Sequence, residues 1–154
     1  MLGTLKNLLS NRPAAELNTR VESESRALKV AVAGLLHEMI RSDLKETREE
    51  TDAGVSALKA IFQVPEREAQ ALLAEAGAHR FTSYFGPVSI VKRLLSMESR
   101  IALVEHLWQV ALSDGDLDTY EDHFVRKIAH LLYVTNTETM MARQRARRAA
   151  KVNE

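Results

Sequence analysis

The chain has 154 residues, 45% of them apolar and 27% charged, which is usual for one domain with a hydrophobic core. Its 21 basic and 21 acidic residues cancel, so no overall charge favours nucleic acid or a membrane surface. The absence of cysteine excludes disulfides, thiolate metal sites and cysteine nucleophiles.

No stretch of the sequence predicts a membrane anchor or a secretion signal. The longest apolar run, residues 30–36, ends at His37 and Glu38, far short of the ~20 residues that cross a bilayer. Residues 1–9 lack the continuous apolar segment and the small-residue cleavage site of a signal peptide. We therefore expect a cytoplasmic protein.

The spacing of the apolar residues predicts helices throughout the chain. Residues 1–22 are interpreted as an N-terminal arm or short helix, residues 23–145 as a single domain, and residues 146–154 as a basic C-terminal end. The fold class is all-α, a compact bundle of about six to eight helices. The residues that we expect to pack between the two halves of the domain are Leu36, Met39, Leu58, Ile61, Phe62, Leu107, Val110, Phe124, Ile128 and Leu131.

Helix starts are marked by capping signals. Thr47 with Glu50, and later Thr135 with Glu138, have the spacing of a capping box. These signals predict a helix after each threonine.

An acidic turn, residues 113–121, joins two amphipathic helical segments. Its carboxylates are Asp114, Asp116, Asp118 and Glu121. Oxygen ligands on a glycine-containing turn are what Ca²⁺ or Mg²⁺ requires. The same residues suit a helix corner, because Gly115 can adopt a positive φ and Asp118 with Glu121 has the spacing of an N-cap pair. The sequence leaves both interpretations open.

The spacing of these acids is not that of an EF-hand. Three aspartates occupy the first, third and fifth positions, but the twelfth position, which needs a bidentate acid, is Val125. The glycine stands at the second position instead of the sixth. A looser cation site would use the carboxylates of Asp114, Asp116, Asp118 and Glu121, with Asp43 and Glu50 as further ligands if two such turns meet.

That second turn comes from an internal repeat. Residues 36–43 align with residues 107–114 at a shift of 71, and at that shift Glu50 matches Glu121. One residue is then lost, so that positions 61–64 match 131–134. Each copy is predicted to be a helix, an acidic turn, a helix, a loop and a helix. The predicted repeats are residues 28–77 and 98–145. Leu44 stands where Gly115 does.

The paired units resemble the TerB-like family, named for tellurite resistance, which is also similar to the N-terminal domain of a membrane-anchored J-domain co-chaperone. The resemblance covers about residues 25–145. Its residues are 110–121, 125–129 and 131–134, with a weaker copy at 39–46, Glu50 and 62–64. It implies an all-helical bundle with two acidic turns, and a role in metal-ion stress through an acidic surface that binds metal or a partner.

We therefore predict a non-enzymatic module whose acidic surface binds a protein partner, membrane-associated partners included, or Ca²⁺ or Mg²⁺. The alternative is a metal-dependent hydrolase that uses the same carboxylates with a bound water and a general base. Nucleic acid is not expected, because no aromatic residue accompanies the basic residues after Tyr133.

Overall fold

A computed structural model describes residues 14–41, 47–78, 85–115 and 117–152. Over these ranges the chain forms seven helices and no strand, which confirms the predicted all-α class. The helices are α1 (Ala14–Arg41), α2 (Arg48–Phe62), α3 (Glu66–Ala78), α4 (Phe85–Leu94), α5 (Met97–Ala111), α6 (Thr119–Leu131) and α7 (Asn136–Val152). None of these helices is long and apolar enough to cross a membrane.

Helices α1 and α5 form the centre of the bundle. Residues 31–36 of α1 are all buried, and six consecutive positions cover every side of a helix, so other helices surround this section. α1 packs on α2, α3, α4, α5 and α6, while α5 packs on α1, α2, α6 and α7. Every other helix that the structure describes therefore rests on α1, on α5 or on both.

Most of the predicted core residues are buried. Those with relative exposures of 4% or less are Leu36, Met39, Leu58, Leu107, Val110, Phe124 and Ile128. Ile61, Phe62 and Leu131 are only partly buried, which corrects the prediction for these three. They lie in the last turns of α2 and α6, where the chain turns away toward the next helix.

The single tryptophan packs between α5 and α7. Trp108 is fully buried, and its Nε1 donates a hydrogen bond to the carbonyl oxygen of Thr139 at 3.1 Å. The guanidinium of Arg143 lies over its ring, 5.5 Å from the centroid. Trp108 is thus a core residue with a satisfied N–H group.

Two left-handed residues end matching helices. Gln63 (φ 54°) caps α2, and Tyr133 (φ 61°) follows the end of α6. This conformation is unfavourable for residues with a Cβ and is a common way to end a helix. The two positions are paired in the predicted repeat, so the backbone supports that alignment, and the repeat itself stays a prediction.

The capping box at the start of α7 has both of its hydrogen bonds. Glu138 N donates to Thr135 Oγ1 at 3.1 Å, and Thr135 N donates to Glu138 Oε2 at 3.3 Å. These bonds satisfy two backbone N–H groups that have no partner within the helix, as the sequence predicts.

The core assignment is tested by Ile128→Ala, with Met141→Ala as its control. Ile128 is fully buried, so its truncation leaves a cavity and should lower the free energy of unfolding by ~2–5 kcal/mol. Met141 is 51% exposed, and its truncation should change that free energy by no more than ~0.5 kcal/mol. Urea unfolding followed by Trp108 fluorescence measures both free-energy changes. Equally small losses of stability in the two variants would contradict the assignment of Ile128 to the core.

Candidate functional site

The acidic turn begins where α5 ends. Ser113 Oγ donates to the carbonyl oxygen of Val110 at 2.7 Å, and Gly115 N donates to the carbonyl oxygen of Leu112 at 3.1 Å. Gly115 has φ +92°, as the sequence predicts, and a Cβ added there would meet no atom within 4 Å. Backbone conformation, and not lack of space, is therefore the reason for glycine at this position.

Asp118 caps α6. Its Oδ1 accepts a hydrogen bond from Tyr120 N at 3.2 Å, which satisfies one open N–H group of the helix start. The bond comes from the second residue of the helix and not from Glu121, the third, which the predicted pairing suggested. Both Asp114 and Asp118 are exposed. Leu117, between them, is partly buried against the core and anchors the turn.

The two glutamates after the acidic turns are buried. Glu121 is the third residue of α6, Glu50 is the third residue of α2, and each is 1% exposed. Glu138 is also the third residue of its helix, but it is only partly buried and bonds back to its cap at the surface. A glutamate can therefore cap a helix without being fully buried. Capping alone does not explain why Glu50 and Glu121 are buried.

Burial makes these two carboxylates energetically demanding. A buried ionised carboxylate is destabilising by several kcal/mol unless neighbouring groups or a metal ion compensate its charge. Their place in the first turn brings each carboxylate near the positive end of a helix dipole, which contributes about 0.3–1 kcal/mol, or up to ~2 kcal/mol when partly buried. The dipole thus offsets part of this cost, and both glutamates make further interactions within the protein.

The structure brings Asp114, Asp118 and Glu121 to the two ends of one short turn. Among the described residues, however, no group of three or more histidine, aspartate or glutamate side chains is arranged to hold a metal ion. Asp116 and Asp43, the remaining predicted ligands, lie outside the described residues. The chemistry of the donors fits a hard cation, and the predicted ligand set stays a prediction.

Glu50 lies in the first turn of α2, after the predicted first acidic turn. Thr47 caps that helix, as the sequence predicts, because its Oγ1 accepts from Glu50 N at 3.2 Å. α2 and α6 both pack on α1 and α5. The two buried glutamates therefore belong to helices that flank the same central pair.

A groove of about 420 Å³ lies beside the acidic turn, between α2, α5 and α7. Ser113 and Gly115 form part of its wall, together with Gln109 and several alanines, among them Ala146 and Ala149. The described part of this wall includes no carboxylate and no histidine. The groove therefore offers space beside the turn without a titratable group to act as a base.

The comparison with protein families gives one match. Residues 29–144, most of the chain, match the model of the family described as tellurite resistance protein TerB. No curated protein and no solved structure matches the chain.

The capping role is tested by comparing Asp118→Ala with Asp118→Asn, both with a chelator present. Alanine removes the acceptor for Tyr120 N and should lower the free energy of unfolding by ~0.5–2 kcal/mol. Asparagine caps helices about as well as aspartate and should retain most of that stability. If urea unfolding shows equal losses, the charge of Asp118 matters and its capping bond does not.

Proposed function

The chain belongs to the TerB family of tellurite resistance proteins, and we propose that it is a non-enzymatic cytoplasmic module that binds Ca²⁺ or Mg²⁺. The proposed site is the acidic corner, defined as residues 113–118 together with Glu121. The observation that carries the proposal is the burial of Glu121, at 1% exposure, directly after a turn with exposed carboxylates. The description of the family as tellurite resistance protein TerB supports a role of this binding in the response to tellurite or metal stress.

Cation binding explains the burial of Glu121 better than helix capping or a solvent-facing docking surface does. A glutamate can cap a helix while only partly buried, as Glu138 does. A purely electrostatic docking surface requires its carboxylates to face solvent. A cation site would combine ligands at the exposed positions Asp114 and Asp118 with an anchor held by the core, and a bound cation would interact favourably with the buried carboxylate.

The composition of the corner favours hard cations. Asp114 and Asp118 flank a glycine with φ +92°, Asp116 is a third candidate ligand in the same turn, and Glu121 is the anchor. Carboxylate and backbone oxygens with water are the ligands that Ca²⁺ and Mg²⁺ take. The absence of cysteine removes the thiolates that softer metals prefer.

The first turn is proposed as a second and weaker site. Glu50 is buried like Glu121, and Asp43 stands where Asp114 does in the repeat. Leu44 and Lys45 replace the glycine and an aspartate, so this turn offers fewer carboxylates and adds a positive charge. Fewer charged ligands reduce calcium affinity.

A second candidate function is the binding of a protein partner at the same corner. Tyr120 is 55% exposed and lies between Asp118 and the buried Glu121. Exposed tyrosines are common anchors of protein interfaces. The hydrolase alternative has no comparable support, because the described wall of the neighbouring groove offers no general base.

Thermal unfolding with chelator and with about millimolar Ca²⁺ or Mg²⁺, near the weak end of calcium sites, tests the proposal. A cation that binds only the folded protein adds RT ln(1 + [L]/Kd), about 1.4 kcal/mol at ten times Kd, so the Tm should rise. Glu121→Gln should abolish the rise because it removes the buried anchor charge.

Glu138→Gln is the matched control, since it changes the same charge at the third position of another helix. It should leave the cation-dependent rise intact. Asp114→Asn should reduce the rise. Equal Tm values for the unmodified protein in chelator and in cation would contradict the proposal and leave the corner as a partner surface.

A further inference from the structure

One carboxylate, that of Asp122, lies between two arginines of α6 and α7. Arg126 Nε donates to Asp122 Oδ2 at 2.8 Å, a short charge-assisted hydrogen bond. Arg143 Nη1 lies 3.9 Å from Asp122 Oδ1, which is too long for a hydrogen bond. Arg147 lies one helical turn after Arg143 on α7, so a third guanidinium is on the same helix face. The cluster therefore has two positive charges in excess of its one negative charge.

Arg143 is held in place by the core. Its side chain is only 23% exposed, and its guanidinium lies 5.5 Å from the ring centroid of Trp108. Trp108 is itself fixed by its hydrogen bond to Thr139. A guanidinium ordered in this way loses little conformational entropy when it binds a ligand.

The hydrogen-bonding capacity of Arg143 is incompletely used. Its Nε is buried and makes no hydrogen bond with any residue that the structure describes. Burial lowers the pKa of Arg143, the nearby Arg147 and Arg126 lower it further, and Asp122 opposes them. An N–H donor without an acceptor is destabilising, and an acceptor brought by a ligand would relieve this cost.

Arg145, on the same helix, differs from Arg143 because it has a close carboxylate partner. Its Nε donates to Glu105 Oε2 at 3.0 Å, so a carboxylate of α5 neutralises its charge. Arg143 has no carboxylate at that distance among the described residues. The excess charge is therefore local to the cluster and is not a general property of α7.

We propose that Arg126, Arg143 and Arg147 form a binding site for a phosphate group, carried by inorganic phosphate or by a monoester. The planar fork of donors on each guanidinium matches the oxygens of a phosphate group. Asp122 orients Arg126, and the charge left over attracts the dianion. This site uses none of the residues of the acidic corner, and it would bind an anion instead of a cation.

The test is a titration with inorganic phosphate, read by the fluorescence of the single tryptophan. Trp108 contacts Arg143, so occupancy of the site should alter its emission. We expect a saturable change with a Kd of about millimolar, as befits a small anion held by a few charged hydrogen bonds. Potassium chloride holds the ionic strength constant, and a chelator keeps cations out of the acidic corner.

Arg147→Gln should weaken binding by about tenfold, since it removes one charged donor. Arg148→Gln is the matched control: it removes the same charge from the next position of α7, which points about 100° further around the helix. It should change the Kd by less than about twofold. Both side chains are exposed, and circular dichroism checks that the variants fold.

An unsaturable response, or equal weakening in Arg147→Gln and Arg148→Gln, would overturn the proposal, because it would show only screening of a basic helix. Vesicles of phosphatidylcholine with and without phosphatidic acid distinguish the source of the phosphate group. Binding to free phosphate without vesicle binding assigns a soluble ligand. Vesicle binding that requires phosphatidic acid and is competed by free phosphate assigns a lipid headgroup.

Discussion

The packing of α1 against α5 is the contact on which the rest of the structure depends. Residues 31–36 of α1 are buried on every side, and α5 contributes Leu107, Trp108 and Val110, all fully buried. α1 ends at Arg41, before the predicted first acidic turn, and α5 ends at Ala111, before the second. The core thereby fixes where the two helices that precede these segments end.

Under the proposed function, the same glutamate has two roles. As the third residue of its helix, Glu121 lies where an acid favours the helix dipole, and packing buries it at 1% exposure. A buried carboxylate lowers stability unless its charge is compensated. A cation bound to this carboxylate would add ligand-dependent stability, so the proposed binding site would include the helix start. Glu50 repeats the arrangement after the first turn.

Local signals in the sequence predicted the helices well. The caps at Thr47 and Thr135, the positive φ of Gly115 and the burial of Ile128 follow from spacing and backbone preference within a few residues. The burial of Glu121 does not follow from the sequence, because Glu138, which is only partly buried, has the same spacing from its cap. Only tertiary packing distinguishes these two glutamates. The contact of Arg143 with Trp108 joins separate helices, so the sequence indicated only a basic end there.

Carbon-13 NMR of the glutamate side-chain carboxyl groups during a Mg²⁺ or Ca²⁺ titration tests the central claim most directly, because it observes the proposed anchor itself. If the buried glutamates bind the cation, the carboxyl signal of Glu121 moves saturably. The signal of Glu50 then moves at higher cation concentration, and that of Glu138, which bonds to its own helix cap, stays in place. Carboxyl signals that do not move, or that move equally in all three residues, would contradict cation binding at the acidic corner.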